Sequence, residues 1–392
     1  MYIERAELEH FEIAANNYKL VAVVGPRQAG KTTFLKEQVR KANGKFVKLD
    51  DPEAKALFDE DIKKFETQYI EGNTITGIDE VQYGKDAGPK LKYLADSDRR
   101  AWVSSSSQII LGKEVLSWLV GRVSIVKLFP FSFAELLVAH GQKETTTKIV
   151  ERLEWEHCVY GGYPAVVLAT GVDVKIMLLS NLRETMLLKD VARTFSIKDV
   201  VSLEAFSRYL AHSVGNALAY QVIGSELNLS FETVKKYLDA MEKSYLVARV
   251  EPFYSNKLKE LVKQPKVYFL DTGLRNSVVN DFPTSLETRG KLFENYVFTE
   301  LLKAGFQPKY WRSKTGAEVD FIIEKNNEVI PIEVKVTAPG KTIEKSMRTF
   351  IENYKPKKAF IVYHKGTPGT LKANNCKVTI TNTQNLIEAL KN

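Results

Sequence analysis

Cysteine is nearly absent from this chain: 392 residues contain two, Cys158 and Cys376, at a separation that fits no metal-ligand spacing. They read as ordinary thiols of a reducing compartment, so a cytoplasmic location is expected. Long hydrophobic runs are lacking as well. The longest candidate, Val115 to Phe131, is broken by Arg122 and Lys127, whereas a membrane helix needs about 20 mostly apolar residues. No membrane association is expected, and with no ABC-type signature segment, membrane transport is disfavoured. Met1-Tyr-Ile-Glu-Arg-Ala-Glu7 has neither the basic start nor the apolar centre of a signal peptide, and none is expected.

What is present is the composition of a soluble globular protein, 44% apolar and 27% charged, with a length that suits two to three domains. The net charge of +8 is uneven. From Lys291 to Asn392 there are 17 basic and 10 acidic residues, a local excess that favours polyanions such as nucleic acid or forms a solvated basic face.

The strongest local pattern is Gly25-Pro26-Arg27-Gln28-Ala29-Gly30-Lys31-Thr32, followed by Thr33. It lies between the apolar run Leu20–Val24 and a helix-like stretch from Thr33 to Val39, the context that makes G-x-x-x-x-G-K-[ST] a phosphate site. The glycines let successive N–H groups face phosphate oxygens, and the helix N-terminus adds partial positive charge. Lys31 reaches toward the β- and γ-phosphates, and Thr32 offers a hydroxyl to Mg²⁺. Farther on, Thr74–Val81 reads as a strand ending in Asp79 and Glu80. Asp79 is suited to holding Mg²⁺ and Glu80 to polarising an attacking water, although an Asp-Glu pair at a strand end also serves as a helix cap. Gly77 is out of character in so apolar a strand. A third strand, from Ala101, ends in Ser104-Ser-Ser-Ser107-Gln108, hydroxyls that suit either a water-positioning role or a serine-rich turn.

Together with Leu49-Asp-Asp51-Pro52, Gly121-Arg122-Val-Ser-Ile125 and Phe129-Pro-Phe-Ser-Phe-Ala-Glu135, these segments resemble a family of prokaryotic AAA+ ATPases whose members carry a C-terminal nuclease-like domain. The resemblance implies ATP and Mg²⁺ as cofactors, Lys31, Thr32, Asp79 and Glu80 as Walker residues, and a sensor among Ser104 to Ser107. It also implies a phosphate-sensing or finger role for Arg122, with Arg183 and Arg193 as weaker candidates. A homo-oligomer is compatible with it.

After Tyr160-Gly-Gly-Tyr-Pro164 the chain turns helical. Helices are expected over 176–191 and 203–214, near 220–227, and from Ser230, a good N-cap, to Lys243. Strand-like Tyr245–Glu251 and Val267–Asp271 then complete a helix-turn-helix-and-hairpin layout. A winged helix presents Lys235 and Lys236 to DNA in such a layout, but few arginines or lysines line that helix, which favours a structural lid on the ATPase.

The last hundred residues hold a second constellation. An amphipathic helix, 288–303, carries Glu294; Ala317–Ile323 carries Asp320; Val329–Val336 carries Glu333 and Lys335. A hairpin of about five residues at Glu324–Glu328 sets Asp320 opposite Glu333, on one face with Lys335. Paired carboxylates are costly without a cation, and Mg²⁺ suits their oxygens. Lys335 then orients or helps deprotonate a water. Pro331 suggests an edge strand or bulge. Glu294, Asp320, Glu333 and Lys335 resemble the active-site set of the PD-(D/E)xK nuclease superfamily, which implies catalytic roles for all four and metal ligation by Asp320 and Glu333.

The expected fold is therefore α/β throughout: a three-layer P-loop AAA+ domain at 1–165, a helical and winged-helix region at 166–285, and a restriction-endonuclease-like α/β domain at 286–392. Two functions fit. In one, ATP hydrolysis controls a nucleic-acid-binding endonuclease, with DNA rather than RNA as partner. In the other, a nucleotide-gated switch carries a catalytically silent platform.

Overall fold

In a computed structural model, the apolar run Leu20–Val24 forms β1, every residue of it buried at the centre of a parallel sheet. The structure describes residues 2–97, 99–106, 119, 121–141, 146–254, 264–340 and 342–392. Two compact units are present, one of residues 1–131 with 243–245 and one of 132–242 with 246–392.

The first unit runs α1 (Leu8–Asn17), β1, α2 (Lys31–Lys41), β2 (Lys45–Lys48), α3 (Pro52–Glu60), α4 (Ile62–Tyr69), β3 (Thr76–Asp79), α5 (Ala87–Asp96), β4 (Ala101–Ser105) and β5 (Val123–Lys127). The strand order β2-β3-β4-β1-β5 puts the carboxyl ends of β1, β3 and β4 side by side, the edge where such sheets bind ligands. As sequence, the polar stretch 53–71 reads as one helix. Two form instead, because Asp51 caps α3 through Ala54 N, and Asp61 ends α3 and caps α4 through Lys64 N. Gly77, odd as sequence, has a steric reason. A Cβ there would lie 2.6 Å from Val39 Cγ2, so α2 packs on β3 only over a bare backbone. Phe11 meets Phe34 and Trp102 edge-on at 5.1 and 4.9 Å in the core beneath.

The second unit begins with α6 (Phe133–Ala139), whose start is a reciprocal Ser132–Glu135 capping box. It continues through α7 (Thr147–Tyr160), α8 (Pro164–Val167) and α9 (Val172–Thr185). The single helix expected over 176–191 becomes a π-helix from Met186 to Arg193. Next come α10 (Val200–His212), α11 (Tyr220–Leu227) and α12 (Phe231–Lys243), the last capped by Ser230 through Thr233 N. Antiparallel β6 (Val247–Val250) and β7 (Lys266–Phe269) follow, then α13 (Thr272–Val279) and α14 (Gly290–Lys303).

A mixed sheet closes the unit: β8 (Lys309–Arg312), β9 (Glu318–Lys325), β10 (Glu328–Thr337), then α15 (Lys345–Tyr354), β11 (Lys358–Lys365), β12 (Gly369–Ala373), β13 (Cys376–Thr381) and α16 (Thr383–Lys391). Its order is β12-β13-β11-β10-β9-β8. The β9–β10 loop is two residues, Asn326 and Asn327, both at positive φ, shorter than the five expected. A loop of 324–328 would set Asp320 opposite Ile332, whereas the two-residue turn pairs Ile332 with Phe321 and so brings Glu333 level with Asp320. Pro331 is neither at an edge nor in a bulge. It sits in a central strand, paired with Ile322, one residue before the ladder to β11 begins at Ile332, so its missing N–H costs that ladder nothing. Buried polar pairs tie the helices to this sheet, including His364 Nδ1 with Glu154 Oε2 at 2.8 Å. That shared core is why the region around 286 is not a boundary between compact bodies.

Candidate functional site

The loop after β1 is shaped by close contact. A Cβ on Gly25 would meet Leu128 O at 2.0 Å, and Leu128 N donates to Val24 O at 2.7 Å, so the segment just after β5 fixes the loop's base. Gln28 and Gly30 take left-handed conformations, at φ 60° and 96°, turning the loop's amides inward ahead of α2. Lys31, 4% exposed, donates to Pro26 O at 2.8 Å and folds back across the loop. Arg5 braces the same loop: its guanidinium donates to Ala29 O at 2.9 Å and Phe129 O at 2.6 Å.

At the ends of β3 and β4, Thr32 Oγ1 donates to Asp79 Oδ2 at 2.9 Å. Ser104 Oγ donates to Asp79 Oδ1 and accepts from Glu80 N at 3.0 Å. Glu80 is held at φ 57°, a conformation costly for a non-glycine residue and common where a side chain must be aimed. Burial pushes its carboxyl pKa up; Lys31 and Arg27 oppose that rise and Asp79 adds to it. Gln82 Nε2 donates to Glu80 and, at 2.9 Å, to Ser106 Oγ. The hydroxyl of Thr32 and the carboxylate of Asp79 form an all-oxygen pair beside the loop, the donor chemistry that fits Mg²⁺.

The second unit assembles the other predicted set. Asp320 and Glu333 face each other by register, and Asp320 Oδ2 accepts from Val334 N at 2.8 Å. Lys335 Nζ donates to Glu333 Oε1 at 3.0 Å and pairs with Glu344 at 2.8 Å. Glu333 Oε2 is buried without a hydrogen-bond partner. Desolvation and the carboxylates of Glu294 and Glu333 push Asp320 well above the ordinary carboxylate range. Desolvation also raises Glu333 to about 7 despite Lys335. Burial works against the Lys335 charge, but Glu333 and Glu344 outweigh it and hold the amine protonated. In this arrangement Lys335 orients groups rather than accepting a proton. Glu294, on α14, accepts from Tyr268 Oη at 2.6 Å and Lys291 Nζ at 2.7 Å, with Lys266 Nζ 3.7 Å away. Among the described residues no three His, Cys, Asp or Glu side chains gather closely enough to cage a metal ion. Two carboxylates and an unpartnered oxygen fit a Mg²⁺ ion that completes its shell with water and phosphate oxygens.

Residues 17–137 match the family model described as AAA domain. The region that carries the phosphate loop is thus similar to AAA domains. Residues 151–285 and 289–382 match two models each described as a domain of unknown function, DUF8612 and DUF4143. An uncharacterized protein of Haemophilus influenzae is 29% identical over 259 residues, 64% of this chain and 63% of its own length. The chain thus spans somewhat under two thirds of that relative. An uncharacterized protein of Mycobacterium tuberculosis is 27% identical over 377 residues, covering 93% of this chain and 80% of that one. Among solved structures, a Walker-type ATPase of Pyrococcus abyssi superposes with a TM-score of 0.46 at 15% identity, over 71% of this chain and 96% of that one. The Orc1 protein of Aeropyrum pernix in complex with DNA gives 0.31 at 10%, over 71% and 93%.

Within the AAA domain the loop residues, Asp79, Glu80 and two of the expected serines come together. Ser104 serves Asp79 and Glu80, and Ser106 serves Gln82; Ser107 and Gln108 lie outside the described residues. Arg122 requires a correction. It precedes Val123, which is level with Leu20 at the amino end of β1, so a five-residue strand of about 3.3 Å per residue separates it from the loop. Its guanidinium pairs with Asp96, at 2.5 Å, and the domain's own nucleotide site is out of its reach. Arg183, in the second unit, donates to Ser277 O at 2.7 Å at the end of α13. Sequence reasoning missed Arg5, Lys266, Tyr268 and Lys291. The first three approach from elsewhere in the chain with no motif around them, while Lys291, one turn before Glu294, was legible as an i,i+3 pair.

Proposed function

We propose that the AAA domain binds and hydrolyses ATP with Mg²⁺, and that its nucleotide state controls a nucleic-acid-binding second unit, DNA rather than RNA, carrying a Mg²⁺-dependent endonucleolytic centre. Lys31 and the loop amides hold the β- and γ-phosphates. Thr32 and Asp79 hold Mg²⁺, and Glu80 orients the water that attacks the γ-phosphorus. The second centre is supported above all by the buried, unpartnered Glu333 Oε2 beside Asp320. There a bound divalent ion supplies charge for the transferring phosphoryl oxygens and lowers the pKa of water. Asp320 and Glu333 hold it, while Lys335, fixed between Glu333 and Glu344, steers the phosphodiester. Water adds its hydroxyl to phosphorus, and its proton leaves with the displaced deoxyribose oxygen.

The nucleotide-gated switch with a silent platform remains a second reading, favoured by the absence of a three-ligand cage among the described residues. Two variants separate the readings. Lys31→Ala is expected to abolish ATP turnover, by at least about 100-fold, and wild-type turnover would overturn the ATPase assignment. Asp320→Ala is expected to remove Mg²⁺-dependent nicking of plasmid DNA. Wild-type protein that cuts no DNA or RNA with ATP and Mg²⁺ present, yet binds DNA in a nucleotide-dependent way, selects the switch.

A further inference from the structure

Lys266 is a charged residue from β7 that is 1% exposed. Its ammonium lies 2.5 Å from Glu318 Oε1 and 3.7 Å from Glu294 Oε1, and 5.1 Å from the centroid of the Tyr310 ring. Tyr268, two residues along the same face of β7, donates to Glu294 Oε1, while Lys291 takes Glu294 Oε2. Both oxygens of Glu294 are therefore committed to donors, and a metal ion bound there would have to displace them.

Charge points the same way. Glu294, Glu318, Asp320, Glu333 and Glu344 surround three ammonium groups, Lys266, Lys291 and Lys335, and the Arg312 guanidinium lies 3.9 Å from Glu318 Oε2. With every group ionised, one negative charge is uncompensated. One divalent cation already exceeds it, and a second would add further positive charge where burial makes it expensive. The structure also marks where one ion goes: Glu333, 6% exposed, has a buried Oε2 without a hydrogen-bond partner and stands next to Asp320, whereas Lys266 pairs with Glu318 and Glu294.

We propose that Lys266 is a fixed internal cation standing where a second divalent metal would otherwise bind, so that the cluster takes a single ion, held by Asp320 and Glu333. The inference rests on the Mg²⁺ reading of those two carboxylates. It makes Lys266 a positioning residue, acting through Glu294 and Glu318, and makes the site's metal count depend on a strand of the middle region.

The test uses Mn²⁺ and the full-length, nucleotide-free chain in an Asp79→Asn background, which silences the ATPase metal site. Bound ion is counted by electron paramagnetic resonance. One Mn²⁺ per chain is expected, lost on Asp320→Asn. Lys266→Gln removes the ammonium, keeps a polar side chain and leaves the cluster one unit more negative. It is expected to bind a second Mn²⁺, or the first at least about tenfold more tightly, whereas a purely structural lysine would give weaker or unchanged binding. Should that variant not melt cooperatively, Lys266→Met carries the same expectation. Two Asp320-dependent ions in the wild-type cluster, or no gain in either variant, overturns the inference alone. Absence of Asp320-dependent Mn²⁺ from every variant overturns the metal reading with it.

Discussion

In the phosphate loop the acid is already satisfied: Asp79 accepts from Thr32 and Ser104, Lys31 is folded onto Pro26 O, and every partner lies on the loop or on a neighbouring strand end. Around Glu333, carboxylates crowd one another, ammonium groups from β7 and α14 balance most of them, and one buried oxygen has no partner. A loop built mainly from neutral dipoles can stand complete before its ligand arrives. A cluster of like charges stores unfavourable energy until a cation enters. The loop should therefore be most sensitive to shape, and the cluster to pH and metal.

The largest effect expected from that contrast is steric. Gly25→Ala places a methyl group 2.0 Å from Leu128 O, a clash with backbone that only movement of the loop or of the strand end relieves. ATP binding should fall by at least about tenfold, with a stability loss on the order of 2–4 kcal/mol. Nucleotide titration and thermal melts check both. Unchanged ATP affinity would mean that the loop is not held by the segment after β5, and that shape is not what sets it apart.

The cluster offers the next largest effect, and its sign is fixed. Glu333 has a folded-state pKa raised from 4.5 to about 7, so the folded chain keeps a proton that the unfolded chain has lost. Stability from this group falls as pH rises from about 4.5 through about 7, and the loss is complete above that. Glu333→Gln, a permanent mimic of the protonated form, should melt above wild type in metal-free buffer at pH 8, by at most about 3 kcal/mol. The gap should close toward pH 4.5. Mg²⁺ should raise the wild-type midpoint at pH 8 and leave the variant's where it is. A variant less stable than wild type at pH 8 would show that the cluster stores no such energy.

The same contrast governs what could be read in advance. The phosphate loop is contiguous, its chemistry follows from eight residues, and the flanking strand and helix announce themselves by periodicity. Asp320, Glu333 and Lys335 were legible from residue type and spacing along two adjacent strands, but their register was not: only the two-residue Asn326-Asn327 turn, rather than a loop of five, brings Glu333 level with Asp320. Lys266 and Tyr268 were not, because nothing local in β7 says that its side chains point at α14. Arg5 sits 24 residues from the carbonyl it braces, a separation no pattern spans. The break at Asp61 was readable as an N-cap and was outweighed by the apparent continuity of a polar helix.

The smallest expected effect concerns Arg122, where motif and geometry part. The motif resemblance assigns it to nucleotide sensing, while the parallel register puts it at the amino end of β5, paired with Asp96, both side chains well exposed. Exposed ion pairs contribute little to stability, and the register keeps this arginine at the opposite end of the strand from the AAA domain's own loop. Arg122→Ala should therefore leave ATP affinity and the melting midpoint unchanged in dilute protein. Turnover measured across a range of protein concentrations makes the test sharper. A loss of turnover that appears only as concentration rises would mean that Arg122 completes the site of a second copy of the chain. A loss independent of concentration would mean that charge from the amino end of the sheet reaches the phosphates after all, and that shape alone does not account for the loop.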